Sequence, residues 1–163
     1  MNNNLFIPLK KEFKALFLCA RQTIGCIPET EWRRGGSKRS VPVWQAVHML
    51  MPLLDPIRHR KEVVAPLVSQ ERRFRKKVKS GDFPTQAEVV DFIEAVEPLV
   101  YQELPEVIER SCQPNPMCNP PLNRWLYTLR HSIIHLSYMR HDLIERGISV
   151  PEYIKYVARI MRS

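Results

Sequence analysis

The sequence predicts an all-α protein: a four-helix bundle with a basic crossover segment and a short C-terminal helix. Three observations carry this expectation. Apolar residues recur at intervals of three and four along most of the chain, the spacing of one helix face. No segment sustains period-two alternation, and there is no internal repeat. Fourteen prolines against five glycines, spread through otherwise helix-like sequence, read as helices that are punctuated or kinked. The 163 residues suit a single domain over 1–163. A content of 44% hydrophobic and 26% charged residues is that of an ordinary globule. A chain of this size buries about 70% of its unfolded surface and needs no disulfides.

Taken in order, Leu9, Phe13, Leu16, Phe17, Ala20, Ile24 and Ile27 form the stripe of a first long helix, with Pro8 suited to its first turn. Pro28 ends it, and residues 31–40 read as a loop broken by Gly35 and Gly36. Pro42 opens a second helix whose stripe is Val43, Ala46, Val47, Leu50, Leu53, Leu54 and Ile57, kinked or shortened by Pro52 and Pro56. A basic connector follows, with helical pieces around 69–79, and residues 81–84 close it. Thr85 and Glu88 have the spacing of a capping box at the start of a third helix. That helix buries Val89, Ile93, Val96, Val100, Leu104 and Val107 and bends at Pro98 and Pro105. Residues 113–121 cannot be helix. A fourth helix runs over about 122–146 and stops at Gly147, as a C′ glycine would make it. Residues 150–152 start the short last helix.

The charge is concentrated. Nine of the basic residues fall within 58–79 (Arg58, Arg60, Lys61, Arg72, Arg73, Arg75, Lys76, Lys77, Lys79) against Glu62 and Glu71, so this segment supplies nearly all of the net +8. The next helix carries Glu88, Asp91, Glu94, Glu97, Glu103, Glu106 and Glu109. The basic run reads either as a patch for nucleic acid or an anionic substrate, or as a solvated connector that neutralises the acidic helix after it. Phe74 is its one aromatic residue, which argues against a single-strand stacking platform. No run approaches the roughly 18–20 apolar residues of a membrane span, and Met1-Asn2-Asn3-Asn4 lacks the positive region of a secretory signal. Cys19, Cys26, Cys112 and Cys118 match neither a CxxC nor a finger spacing. They are expected as reduced thiols in a cytoplasmic protein.

His131 and His135 stand four apart in the fourth helix, so their rings share one face, one turn above the other. HxxxH is the spacing with which a helix offers two imidazoles to one cation. Ser132 occupies the place of the general-base Glu of HExxH, so a zincin protease is not indicated. At about 100° per residue, the pair shares its face with Thr128, Tyr138 and Asp142 and lies opposite Leu126, Leu129, Ile133 and Leu136. His48 behaves alike on the second helix, opposite Leu50, Leu53 and Ile57 and beside Trp44, Met51 and Asp55. These histidines are expected to line a groove between helices. His59 reads as a surface residue, and His141 falls about 80° from His131 on the same wheel and is not expected as a ligand.

The segment Leu129-Arg130-His131-Ser132-Ile133-Ile134-His135-Leu136-Ser137, closing at Glu145-Arg146-Gly147, resembles the last long helix of the DinB/YfiT-like superfamily. There His, three residues, His, Leu and a small residue lead to a basic residue and Gly. Val41-Pro42-Val43-Trp44-Gln45-Ala46-Val47-His48 resembles that family's other signature, a Pro/Trp-started helix bearing one His. The order and the separation of about eighty residues also match. The resemblance extends from the first helix to Gly147. It implies a four-helix bundle with a three-histidine site for a divalent cation, at His48, His131 and His135. It also implies a metal-dependent enzyme, since some members are transferases that use a low-molecular-weight thiol. A homodimer suits the same resemblance. The chain departs from the pattern at Ser137, usually Gly, and at Tyr138, where many members are acidic.

Three neutral imidazoles would leave a bound cation its full charge and an open position, as catalytic sites do. The expected chemistry is activation of a thiol or water against an electrophilic small-molecule substrate, by a transferase or hydrolase. Tyr138 and Asp142 are the candidates to orient ligands or donate hydrogen bonds. Zinc, nickel and iron(II) all suit the ligand set, and the 58–79 segment offers charge for an anionic thiol. Two rivals stand beside this: a nucleic-acid-binding protein that uses 58–79, with binding that collapses between about 50 and 200 mM salt, and a non-catalytic helical interaction module.

Overall fold

In a computed structural model of the chain, residues 3–35, 41–111 and 121–152 are described, and they contain helices and no strand. The order is α1 (Asn3–Gly25), α2 (Glu29–Trp32), α3 (Pro42–Leu50), a 3-10 helix (Met51–Ile57), α4 (Lys61–Ser80), α5 (Gln86–Ser111) and α6 (Pro121–Glu145). Cys112, Cys118, residues 113–120 of the expected loop and the last helix expected after 152 lie outside the described residues, as does most of the Gly35-Gly36 loop. Pro121, expected in that loop, is instead the first residue of α6, where a proline costs no helical bond. None of the described helices is long and apolar enough to cross a membrane.

The stripe of α1 is buried as its spacing predicts, from Leu9 through Phe13, Phe17 and Ala20 to Ile24. The helix begins before the expected start, so Pro8 lies inside it. Its missing N–H forfeits only a bond to a first-turn carbonyl. Phe13 meets Trp125 of α6 edge-on at 5.5 Å, and Phe17 meets Tyr101 of α5 at 6.1 Å. Aromatic contacts thus tie α1 to both later helices. Gln86, the first residue of α5, donates from Nε2 to the carbonyls of Ile24 (3.0 Å) and Ile27 (2.7 Å). It adds a donor to carbonyls at and just beyond the end of α1, where the helical ladder stops.

The loop expected over 31–40 overlaps a single helical turn, α2, and Trp32 within it is part of the core. Its Nε1–H donates to the Pro84 carbonyl at 2.8 Å, which gives a buried indole the partner it needs. The segment from Pro42 is α-helical for nine residues and 3-10 for the next seven. Pro52 and Pro56 supply no N–H to the carbonyls behind them, which is why the α ladder stops.

The basic connector is a correction. Residues 61–80 form one continuous helix, not pieces. Val64, Leu67, Glu71 and Phe74 are its buried face, a narrow stripe that the surrounding charge conceals. The buried Glu71 carboxylate accepts from Arg58 (3.1 Å) and Arg75 (2.7 Å). Gly81, at φ +80°, ends the helix in the left-handed conformation that favours glycine. Arg73 and Lys77 pair with Glu88 of α5 at 3.3 and 3.2 Å, so the basic helix does neutralise acidic charge at the start of the next one.

The capping box forms as read. Glu88 N–H donates to Thr85 Oγ1 (3.1 Å), and Thr85 N–H donates to the Glu88 carboxylate (2.9 Å). That backbone bond, with Lys77 and Arg73, holds the Glu88 carboxyl below its ordinary range. α5 continues through Pro98 and Pro105. α6 stops in a Schellman motif at Gly147 (φ +75°), with Gly147 N–H to Ile144 O and Ile148 N–H to Leu143 O, both at 2.9 Å. The most extensive pairings are α3 with α6 and α1 with α5. The first of these builds the site.

Candidate metal centre

Two elements position the three histidines. Pro42 opens α3, its fixed φ being suited to a first helical residue, and His48 falls in the last turn of that helix. His131 and His135 are mid-helix on α6. The two helices approach closely because α6 presents small hydroxyl residues where the α3 ladder fails. Ser132 Oγ donates to the Met49 carbonyl at 2.8 Å, and Thr128 Oγ1 donates to the Pro52 carbonyl at 3.3 Å. Pro52 has no N–H to offer the Met49 carbonyl three residues back, and Ser132 supplies a donor there from α6.

This arrangement corrects the face assigned to α6. Its buried stripe runs through Trp125, Thr128, Leu129, Ser132, Leu136, Met139 and Leu143, with Ser132 fully buried and Leu126 39% exposed. Polar residues occupy the centre of the contact because carbonyls lie opposite them. His131 and His135 sit on the flank of that stripe, half-buried, next to His48. The wheel drawn for His48 fails beyond Leu50, since residues 51–57 are 3-10. Asp55, placed beside it, is exposed and pairs with Arg58 at 2.8 Å.

One ligand atom from each of His48, His131 and His135 lies within 4.8 Å of the others. The ring centroids stand 5.1 Å (His48–His131), 4.4 Å (His48–His135) and 4.5 Å (His131–His135) apart. Gln45 Oε1, buried, accepts from Nδ1–H of His135 at 2.7 Å. That bond fixes the tautomer and leaves the Nε2 lone pair available. Burial, and then the neighbouring His48 and His131, push the His135 imidazole down to about 4. It is neutral at physiological pH, as a ligand must be. The donor set therefore fits a borderline divalent cation.

Around the imidazoles stand aromatic rings. Trp44 stacks on His48 at 4.6 Å and 18°, and meets His135 edge-on at 6.1 Å. Tyr127 is 5.8 Å from His131, and Tyr138 is 6.2 Å from His135. Tyr138 thus lies where the sequence puts it, on the histidine face. Asp142 is engaged with Arg146 at 2.5 Å. Gln45 and Tyr127 are the contributors the sequence reading missed. The available signals were helical: Gln45 is three residues before His48, and Tyr127 is four before His131.

The remaining histidines lie elsewhere. His59 is exposed, as the sequence reading expects, and it pairs with the buried Glu103 at 3.1 Å and faces the Pro56 carbonyl at 3.2 Å. His141 pairs with Glu145 on its own helix. Cys19 and Cys26 are free thiols. Burial pushes Cys19 up to about 11 and raises Cys26, which keeps both protonated and poorly nucleophilic. A cleft lined by Glu31, Arg34, Gly35, Arg146 and Ile148 includes none of the three histidines. No family model matches the chain, and no curated protein or solved structure matches it.

Proposed function

We propose that the protein is a metal-dependent enzyme built as a DinB-like four-helix bundle, with a divalent cation held by His48, His131 and His135. The observation that carries this is the convergence, within 4.8 Å, of three imidazoles from segments more than eighty residues apart. A cation bound there supplies Lewis acidity that lowers the pKa of a thiol or water. The chain's own residues do the rest. Gln45 holds the His135 tautomer, and burial keeps that ring unprotonated. The partly covered Trp44 indole shields one face of His48. Among the described residues the thiols of Cys19 and Cys26 are kept protonated by burial, and the nucleophile assigned is an exogenous low-molecular-weight thiol or water, with the activity of a transferase or hydrolase.

Elemental analysis of protein prepared without a His-tag tests the reading. A zinc, nickel or iron content near one per chain, lost in His48→Ala/His135→Ala, is the expected result. Absence of metal in both proteins, after dialysis against each cation in turn, overturns it. The nucleic-acid reading of 58–79 is less favoured, because Arg58, Arg73, Arg75 and Lys77 are committed to Asp55, Glu71 and Glu88.

A further inference from the structure

Along α6 the residues Tyr127, His131, His135 and Tyr138 follow one another at intervals of four, four and three, which places all four on one side of the helix. The two phenols stand at either end of the imidazole pair, and Trp44 of α3 packs against both His48 and His135. Tyr127 is 61% exposed and Tyr138 58% exposed. A single exposed tyrosine is ordinary. Two that bracket a candidate cation site, with a stacked indole beside it, are three ring systems that a bound molecule would meet on reaching the histidines.

From this placement we infer that the site takes an aromatic ligand with an anionic, metal-binding head: an aryl thiolate or an aryl acid derivative. The inference rests on the metal-site reading and adds the ligand class to it. The head follows from charge, since three neutral imidazoles leave the cation's positive charge uncompensated. The body follows from the rings, which favour offset or edge-on contact with another aromatic system at 4.5–7 Å, roughly the range already seen among these side chains. A quaternary ammonium ligand, the other guest of aromatic clusters, is disfavoured because it would sit against the cation.

The test uses cobalt(II)-loaded protein, whose visible absorption reports ligands entering the metal's coordination sphere. Three probes share one head: benzohydroxamate, cyclohexanecarbohydroxamate and acetohydroxamate, each corrected for its affinity for free cobalt. Benzohydroxamate is expected to bind about tenfold more tightly than either of the others. In Tyr127→Ser/Tyr138→Ser, two exposed positions whose loss leaves the core intact, cobalt is expected still to bind and the tenfold preference to disappear. Equal binding of the three probes overturns the aromatic reading while leaving the metal site standing, as does a preference that survives in the double variant. A preference for the cyclohexyl probe overturns it in favour of a merely apolar subsite. Failure of cobalt to bind the unaltered protein overturns both readings, so the two failures are distinguishable.

Discussion

Gln45 and His135 show how much a single buried contact decides. The Gln45 carbonyl takes the Nδ1 proton at 2.7 Å, and partners of this kind are worth about 10–100-fold in metal affinity. Gln45→Leu, similar in bulk and without an acceptor, is expected to weaken zinc binding by a factor in that range, as read by competition with a chromophoric chelator. Gln45→Glu keeps an acceptor and is expected to lose less. The depressed basicity of His135 has a second consequence. Its imidazole titrates near 4 in the folded chain instead of the ordinary 6.5, so between those values the unfolded chain binds a proton that the folded chain refuses. Stability of the metal-free protein therefore falls as pH is lowered from about 6.5 to about 4. Urea denaturation at a series of pH values is expected to show that slope, and His135→Gln to flatten it. At this scale the sequence made His131 and His135 legible as a pair, because HxxxH fixes two rings on one face by helix geometry alone, whereas His48 entered as the third ligand through the family resemblance. Gln45 was not legible, since an amide on a helix says nothing about which side chain lies across from it.

Individual helices were written into the sequence wherever local signals govern. Thr85 and Glu88 close a capping box and Gly147 closes a Schellman motif because each joins groups only a few residues apart. α4 shows the opposite case: its few buried positions are outnumbered by exposed charge, and one of them is Glu71, whose burial depends on Arg58 and Arg75. No periodicity count would assign a glutamate to the interior. Ser132 repeats the lesson at α6, where a polar residue occupies the middle of a packed contact because the Met49 carbonyl, to which Pro52 offers no N–H, lies opposite it. Ser132→Leu is expected to destabilise by about 1–3 kcal/mol through overpacking and to push α3 from α6, separating His48 from the other two rings and abolishing zinc binding. Ser132→Ala loses one hydrogen bond, about 1 kcal/mol, and is expected to bind zinc normally. Chemical denaturation with zinc titration of both variants separates these effects.

For the molecule as a whole, the site joins the end of α3 to the middle of α6, so a cation that binds only the folded arrangement must stabilise the entire packing. At a hundred times its dissociation constant the gain is about 2.7 kcal/mol. Calorimetric scans are expected to show a melting temperature that climbs with zinc concentration, and no climb in His48→Ala/His135→Ala. The sequence by itself determined what is local: the all-helical class, most helix ends, the shared face of His131 and His135, and the concentration of charge in 58–79. Helix hydrogen bonds and caps link residues at most a few positions apart, so a linear reading finds them. Only the tertiary structure decided that His48 comes within reach of that pair, that Gln45 takes the His135 proton, that Trp32 is core and that Glu71 is buried. Each of these joins segments that the chain keeps well apart or sets a side chain against a distant neighbour. Such contacts arise from the packing of whole surfaces, and no short stretch of sequence contains both halves of them.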